Sequence, residues 1–269
     1  ISGYAQLGQG YEALNCFEQM KSDGISPNAV TFICILKACG NIGAIDKGKE
    51  IHEEILTRGL FEENIALCNA LVDMYSKCGM VQKAHELLDG LLFRDVIVWT
   101  SLITGHAQQG QGANALACFE CLQNEGILPN EVAFLCVLNA CCHSGLLIET
   151  QILFENMIKK YNITPKLEHY TCMADLLGRT GHIDRALVLL EKMPWNADIV
   201  AWHTMLDACR KWGSVEYGKK AFERAIVLDE MDASAYLCMS GIYADAGMQE
   251  DVLKINSLLE MRKQAQRSQ

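Results

Sequence analysis

The 269-residue sequence lacks long apolar runs, alternating patterns and frequent prolines, and these absences limit the possible fold classes. Its longest hydrophobic runs fall well short of the ~20 residues that a membrane-spanning helix needs. No stretch alternates polar and apolar residues for long enough to predict a β-strand. Only four prolines interrupt the chain, so long segments can form helices. We therefore predict neither a membrane-spanning bundle nor a β-rich domain.

Basic residues are also scarce, since 23 lysines and arginines stand against 33 aspartates and glutamates, for a net charge of −10. A protein that coats nucleic acid regardless of sequence depends on phosphate attraction and is usually basic. The charge argues against such a coat, although a protein that contacts the base edges of a single strand can be acidic overall. The thirteen cysteines are odd in number and follow helix-core spacings, which indicates a reducing compartment.

The sequence does contain an internal repeat that covers nearly its whole length. Glycines recur at intervals of 35, 36, 31, 35, 36, 32 and 34 residues, at Gly8, Gly43, Gly79, Gly110, Gly145, Gly181, Gly213 and Gly247. A period in this range is typical of solenoids built from stacked helical units. Because 35-36-31 is followed by 35-36-32, the larger unit is a triplet of repeats.

Two further residue types keep the same register. Eleven positions before seven of the glycines stands a bulky or apolar residue, at Phe32, Cys68, Trp99, Phe134, Tyr170, Trp202 and Tyr236. Five positions after most glycines stands a small residue, at Ala13, Gly48, Ala84, Ala115, Ala186 and Gly218, whereas Thr150 and Val252 hold that place in the other two copies. A large side chain on one helix and a small one on the next predict a tightly packed helical hairpin.

The segments between these landmarks predict helices throughout. Residues 30–39 carry apolar side chains at helical spacing, and each landmark glycine lies in a short break where it can adopt the left-handed conformation that ends a helix. The prolines fall between the hairpins, at Pro27, Pro129, Pro165 and Pro194. We predict an all-α solenoid of about fifteen or sixteen helices, arranged as a superhelix of helix-turn-helix repeats with one face of each first helix lining a concave groove.

At this point several segments resemble a known family. They are Ile1–Tyr4 (ISGY), Asn69–Gly79 (NALVDMYSKCG), Leu167–Arg179 (LEHYTCMADLLGR), Trp202–Arg210 (WHTMLDACR) and Ser240–Gly247 (SGIYADAG). Together with the triplet, they resemble plant pentatricopeptide-repeat proteins of the PLS class, with two E-type motifs at the end. The resemblance implies a right-handed superhelical solenoid.

The resemblance also implies a domain organisation. A pentatricopeptide-repeat array would occupy residues 1–198, as repeats of type P (partial, 1–28), L (29–64), S (65–95), P (96–130), L (131–166) and S (167–198). Two E-type motifs would occupy residues 199–232 and 233–265, followed by a tail at 266–269. In this register Ile1 lies inside a helix, so we expect a fragment that lacks earlier repeats, a transit peptide and any DYW-type deaminase domain.

In this family the fifth and last residues of a repeat contact one RNA base. The resemblance implies that Asn69 with Asp95 favours uracil, Thr100 with Asn130 favours adenine, and Thr171 with Asp198 favours guanine. Asn28 ends the partial first repeat. The L repeats offer Ile33 with Asn64 and Leu135 with Lys166, and the aliphatic side chains cannot form hydrogen bonds with a base. Each polar residue also has a simpler interpretation as a helix cap or a solvated residue.

A second set of positions would flank the bases. The second residue of each repeat sandwiches a base in the family, and here that position is held by Val30, Ala66, Ile97, Val132 and Glu168. Of these, Ala66 and Glu168 look like weak partners. If the family's parallel polarity holds, the RNA sequence would be U-A-N-G, then three unread nucleotides and the edited C.

We expect no catalytic residues, no cofactor and no metal site. Cys118 and Cys121 form a C-x-x-C and Cys141–His143 follow, but Cys118 lies at a helix-core position where cysteine acts as a small hydrophobic residue. A zinc deaminase needs H-x-E with P-C-x-x-C. His52–Glu54 matches the first part, but Ala117 replaces the proline, and we expect His52 on a solvated helix face.

Two functions remain open. One is sequence-specific binding of single-stranded RNA in a mitochondrion or chloroplast, which for relatives with E-type motifs implies the choice of a C-to-U editing site. Editing cofactors or a separate DYW-type deaminase would then bind the E-type motifs. The alternative is a protein-interaction scaffold, because helical-hairpin solenoids bind peptides on a concave face. The alternating repeat length favours RNA, since scaffolds of the tetratricopeptide type keep a constant period near 34 residues.

Overall fold

The computed structural model describes residues 1–61, 64–193 and 197–267. Within these residues the chain forms sixteen α-helices and no strand, which confirms the predicted all-helical fold. Pro194 lies outside the described residues. None of the described helices is both long and apolar enough to cross a lipid bilayer.

The helices pair into hairpins along the chain. Four hairpins are α1 (Ser2–Gln6) with α2 (Gly10–Ser22), α3 (Ala29–Ile42) with α4 (Ile45–Thr57), α5 (Ile65–Lys77) with α6 (Val81–Asp89), and α7 (Val96–Gln108) with α8 (Gly112–Asn124), and they are followed by the helices α9 (Glu131–His143) and α10 (Leu147–Lys159). The last three are α11 (Leu167–Arg179) with α12 (Ile183–Glu191), α13 (Ile199–Lys211) with α14 (Val215–Leu228), and α15 (Ala233–Asp245) with α16 (Gln249–Arg267).

The turns inside the hairpins depend on glycine. All eight landmark glycines have left-handed backbone angles, with φ between 65° and 87°. Glycine has no Cβ to oppose this conformation, so it is the residue that ends a helix here with the least strain. A second set of left-handed residues, Gly24, Gly59, Gly126 and Asn162, ends hairpins that precede the next repeat.

The alternation of repeat length follows from the second helix of each hairpin. In the two short repeats this helix, α6 or α12, has nine residues, whereas α2, α4, α8 and α10 have thirteen. The difference is about one turn of α-helix, which takes ~3.6 residues. The 31- and 32-residue intervals therefore mark hairpins whose second helix is one turn shorter.

The chain divides into two compact units, Ile1–Ser144 and Gly145–Gln269. In the first unit, α3 packs on α5, α5 on α7 and α7 on α9, while α2, α4, α6 and α8 each pack on the first helix of the next hairpin. In the second unit, α11, α13 and α15 form the corresponding row, and α12 and α14 pack against it. Each unit is thus a two-layered stack of hairpins.

The core between hairpins contains the predicted bulky residues. Phe32, Cys68, Trp99, Phe134, Trp202 and Tyr236 are buried, and Tyr170 is half-buried against the core of the second unit. Several of them meet an aromatic ring of the preceding second helix edge-to-face, with ring centroids 5.0–6.2 Å apart, in the pairs Phe17–Phe32, Phe119–Phe134, Phe154–Tyr170 and Phe222–Tyr236. Edge-to-face pairs of this kind stabilise the packing of successive hairpins.

One expectation about the second helices is wrong. His52 is buried rather than solvated, and its Nδ1 lies 2.9 Å from the hydroxyl oxygen of Tyr75. The reason is helical phase, because His52 follows Gly48 by four residues, on the face of α4 that packs against α5. Burial lowers the pKa of His52, and Lys83 adds to the effect.

We expect Gly105→Ala to destabilise the stack. A Cβ at Gly105 would lie 2.8 Å from the Cβ of Ser76, so α7 would have to move away from α5. Overpacking of this kind costs about 1–3 kcal/mol. Gly3→Ala is the matched control, because a Cβ there meets nothing within 4 Å. Urea unfolding should place the midpoint of Gly105→Ala below that of the wild type and leave Gly3→Ala near or above it.

Trp99→Ala should also lower stability, because it removes a buried indole. The indole N–H donates a 2.9 Å hydrogen bond to Glu125 as well as packing in the core. Truncating a buried tryptophan costs about 3–5 kcal/mol. Trp99→Phe keeps most of the buried ring and should cost less. An unfolding midpoint that does not change in Trp99→Ala would contradict the assignment of Trp99 to the core.

Candidate nucleic-acid interface

The last residue of most predicted repeats caps the helix that follows. The side chain of Asn28 accepts a hydrogen bond from the backbone N–H of Thr31 at 2.9 Å, and Asn130 and Asp198 accept from Ala133 and Ala201 at 2.9 Å. Such bonds satisfy N–H groups that the first turn of a helix cannot pair internally. The simpler interpretation, a helix cap, is therefore correct for these residues, and Asn28, Asn130 and Asp198 are also exposed.

Asp95 differs because its two oxygens have separate partners. Its Oδ1 accepts hydrogen bonds from the backbone N–H groups of Ile97 and Val98, both at 3.0 Å. Its Oδ2 accepts a 3.0 Å hydrogen bond from the Nδ2 of Asn69. The fifth and last residues of the 65–95 segment thus contact each other, across the boundary between α5 and α7.

This contact fixes the orientation of the Asn69 amide. Because Nδ2 points to Asp95, Oδ1 points away from it, and among the described residues this buried oxygen has no hydrogen-bond partner. Asn69 is 7% exposed. A buried amide oxygen without a partner is costly, typically by about 1–3 kcal/mol, so it is a site where a ligand donor would be favourable.

A cavity of about 310 Å³ lies beside this amide. Asn69 lines it together with Ala66 and Ile97, the second residues of two successive repeats, and with Ile33 and Lys37 of α3. Ala70, Asp73 and Ser101 also line it, so the cavity combines aliphatic side chains and the Asn69 amide with a hydroxyl, the exposed Lys37 and a carboxylate that is paired with Lys77. This combination suits a flat, partly apolar ligand that carries polar groups on its edge.

The second-position residues form an exposed apolar set. Val30, Ile97 and Val132 are 65%, 58% and 50% exposed, and Ala66 is exposed as well. They follow helix starts at the same register position in successive hairpins of the first unit. Singly exposed aliphatic side chains are common, so the repeated position, rather than the exposure, makes this set a candidate contact surface.

Within the described residues, no hydrogen bond joins the side chains of the other two predicted pairs. Thr100 Oγ1 donates to the backbone carbonyl of Val96 at 2.6 Å, and Thr171 Oγ1 donates to that of Glu168 at 3.1 Å. Their predicted partners Asn130 and Asp198 cap the next helix. Of the three pairs proposed from sequence, all within the described residues, the structure joins only Asn69 and Asp95 by a hydrogen bond.

Known proteins resemble this chain along almost its entire length. The model of the PPR repeat family matches residues 1–41 and 94–143, and that of the PPR repeat matches 66–96, 132–161, 168–196 and 200–229. The chain belongs to the pentatricopeptide-repeat family.

Individual relatives agree with this assignment. In Arabidopsis thaliana, the pentatricopeptide repeat-containing protein CRR2, chloroplastic, is 38% identical over 264 residues, which is 97% of this chain and 40% of that protein. The mitochondrial pentatricopeptide repeat-containing protein At4g19191 is 38% identical over 262 residues, again 97% of this chain and 40% of the relative. The chain thus spans about two fifths of the length of these curated relatives.

The fold also matches a solved pentatricopeptide-repeat structure. The crystal structure of PPR10 in complex with an 18-nt psaJ RNA element superposes with a TM-score of 0.75 at 19% identity, over 97% of this chain and 39% of that one. A crystal structure of PPR10 from maize has a TM-score of 0.64 at 22% identity, covering 96% and 38% of the two chains. These similarities establish the fold.

Sequence reasoning missed a second pair of the same kind in the pentatricopeptide-repeat register. His203 Nε2 forms a short hydrogen bond with Asp232 Oδ2, and Asp232 Oδ1 accepts from the backbone N–H of Ser234 at 3.1 Å. These are the fifth and last residues of 199–232, a segment that the family resemblance assigns to an E-type motif. Counting from Ile199 as in the other repeats would have found them.

The helix caps predict a graded effect on stability. Asp95→Ala removes the oxygen that accepts from Ile97 and Val98, and should cost about 0.5–2 kcal/mol. Asp95→Asn should cost little, because Asn28 and Asn130 show that asparagine caps the same position in this chain. Thermal unfolding of both variants measures the difference. If Asp95→Ala and Asp95→Asn lowered the unfolding temperature equally, the assignment of Asp95 as a cap would be contradicted.

Proposed function

We propose that this chain binds single-stranded RNA in a sequence-specific manner, with one base per repeat, and has no enzymatic activity of its own. The observation that carries the proposal is the Asn69–Asp95 pair, held at the edge of a cavity whose walls are Ala66 and Ile97. In line with it, PPR10 has been crystallised with an RNA element bound. The regular rise of stacked hairpins would offer one such place per base.

The orientation of the Asn69 amide determines which base is favoured. Its unpaired Oδ1 accepts hydrogen bonds and cannot donate one. Uracil carries an N3–H that can donate to this oxygen, whereas the N3 of cytosine is itself an acceptor and would leave two lone pairs facing each other. This acceptor therefore favours uracil over cytosine, in line with the base that the family resemblance implies for this pair.

The apolar walls would hold the base in place. A nucleobase between Ala66 and Ile97 would cover the exposed face of Ile97 and bury its own ring faces. Lys37, exposed at the rim of the cavity, can approach a phosphate of the same strand. Such phosphate contacts position the chain without selecting a sequence, and the amide edge selects the base.

We place the activity in an organelle and in C-to-U RNA editing. Relatives named chloroplastic and mitochondrial support an organelle without distinguishing the two. The RNA sequence would be U-A-N-G, specified by Asn69 with Asp95, Thr100 with Asn130, and Thr171 with Asp198, with the edited cytidine three unread nucleotides further on. The segment 199–265 would recruit editing cofactors or a separate DYW-type deaminase.

The decisive variant is Asp95→Asn. The new amide keeps one oxygen for the helix cap and turns its NH₂ group toward Asn69. Two NH₂ groups cannot bond to each other, so the Asn69 amide flips and presents Nδ2 to the cavity. A donor there fits the N3 of cytosine. The preference should move from uracil toward cytosine by about 1–3 kcal/mol, or roughly 5- to 150-fold.

The measurement is a competition between matched RNA oligonucleotides that differ only at this base. Asn64→Asp is the control, because Asn64 is also a helix cap at the end of a repeat. The fifth residue of that repeat is Ile33, which cannot form a hydrogen bond with a base. Base preference should therefore not change in this variant. Lys37→Gln should weaken binding to all RNA sequences alike and leave the base preference unchanged. If wild type and Asp95→Asn bind both RNAs equally, base recognition is wrong and a protein-binding scaffold becomes the better interpretation.

A further inference from the structure

A second cavity in the first unit shares no lining residue with the cavity beside Asn69. It measures about 850 Å³ and is lined by residues of α6, α7 and α8. His85 of α6, His106 of α7 and Cys118 of α8 converge on its wall, and one ligand atom of each lies within 4.8 Å of the other two. His106 and Cys118 are buried and His85 is half-buried. No role in RNA binding accounts for this convergence.

The distances between the ligand atoms suit a tetrahedral zinc ion. His85 Nε2 lies 3.0 Å from His106 Nε2 and 4.0 Å from Cys118 Sγ. With Zn–N near 2.05 Å and Zn–S near 2.3 Å, tetrahedral angles place two nitrogens about 3.4 Å apart and a nitrogen about 3.6 Å from the sulfur. The observed separations lie a few tenths of an ångström on either side of these values. Small side-chain rotations would close the site.

A neighbouring amide already orients one of the ligands. His106 Nδ1 lies 2.7 Å from Gln111 Oε1, so this nitrogen carries the proton and donates it to the amide oxygen. The lone pair of His106 is then on Nε2, the atom that faces His85 and Cys118. Histidines that bind metals usually have their other nitrogen held in this way, and the partner sets both tautomer and ring orientation.

The pKa values of two of the three groups are shifted toward the neutral form. Burial raises the pKa of the Cys118 thiol to about 12, with a smaller contribution from Cys121. Burial also lowers the pKa of His85, and the nearby His106 adds to this effect. Neutral imidazoles are the form that binds metal. A divalent cation would replace the thiol proton of Cys118, which passes to solvent, and the imidazole proton of His85, which moves from Nε2 to Nδ1.

We propose that His85, His106 and Cys118 bind one zinc ion, with Cys118 as thiolate and the fourth coordination position open to the cavity. The ligands come from two successive repeats, because α6 belongs to 65–95 and α7 and α8 belong to 96–130. The ion would therefore cross-link one hairpin to the next. One of its ligands, His106, lies on α7, the helix that Asp95 caps. Nitrogen and sulfur ligands in this number favour zinc over magnesium or calcium.

The test is metal titration of the purified full chain, free of any affinity tag. We expect one zinc ion per chain in competition with a chromophoric chelator, and a higher Tm with zinc bound. With Co²⁺ as probe, a thiolate-to-cobalt charge-transfer band should appear. Cys118→Ala should abolish this band and weaken zinc binding by at least tenfold. Gln111→Leu should keep the band but weaken zinc binding about 10- to 100-fold.

Cys209→Ala is the matched control, because Cys209 is another buried cysteine with a pKa raised to about 12 by burial, but it lies in the second unit. It should bind zinc and cobalt as the wild type does. Circular dichroism of the metal-free variants verifies that each is folded. Equal zinc affinity in wild type and Cys118→Ala, or a cobalt band that disappears in Cys209→Ala instead, would overturn the assignment. Neither result depends on whether the chain binds RNA.

Discussion

The close approach of successive first helices is the constraint on which the candidate sites depend. A Cβ at Gly105 of α7 would lie 2.8 Å from the Cβ of Ser76 of α5. A Cβ at Gly178 of α11 would lie equally close to the Cβ of Ala208 of α13. Because the backbones come this close, the fifth residue of one first helix can reach the N-terminus of the next. The hydrogen bond from Asn69 to Asp95 spans that gap, as does the bond between His203 and Asp232. A wider spacing would separate both pairs.

A helix cap and a base-contacting residue are compatible roles for one side chain. Asp95 uses Oδ1 for the cap and Oδ2 for Asn69, so the cap holds the carboxylate still while the second oxygen orients the amide. Asn28, Asn130 and Asp198 also form caps, and among the described residues neither Asn130 nor Asp198 has a hydrogen bond to its predicted partner, Thr100 or Thr171. Their amide or carboxylate groups are held in place at the start of a helix, where a bound base could meet them.

The zinc proposal concerns a different part of the same two repeats. His85 and Cys118 lie on second helices and His106 on a first helix, so their meeting depends on the two-layered packing rather than on the repeat register. Three residues separated by 21 and 12 positions give no motif with metal-ligand spacing. The expectation that Cys118 is buried was correct. Its surroundings are not purely apolar, however, because they include the imidazoles of His85 and His106.

The sequence by itself determined the repeat, its register and the helical fold, because left-handed glycine turns, buried aromatic residues and small residues at close contacts are local or periodic requirements. It also placed the caps, since a cap depends only on the residue and the helix after it. The tertiary structure decided whether residues from different helices meet. It joined Asn69 to Asp95, buried His52, paired His203 with Asp232, and brought His85, His106 and Cys118 together. Those contacts depend on the spacing and relative rotation of neighbouring helices. The pattern of residues along one helix does not specify either quantity.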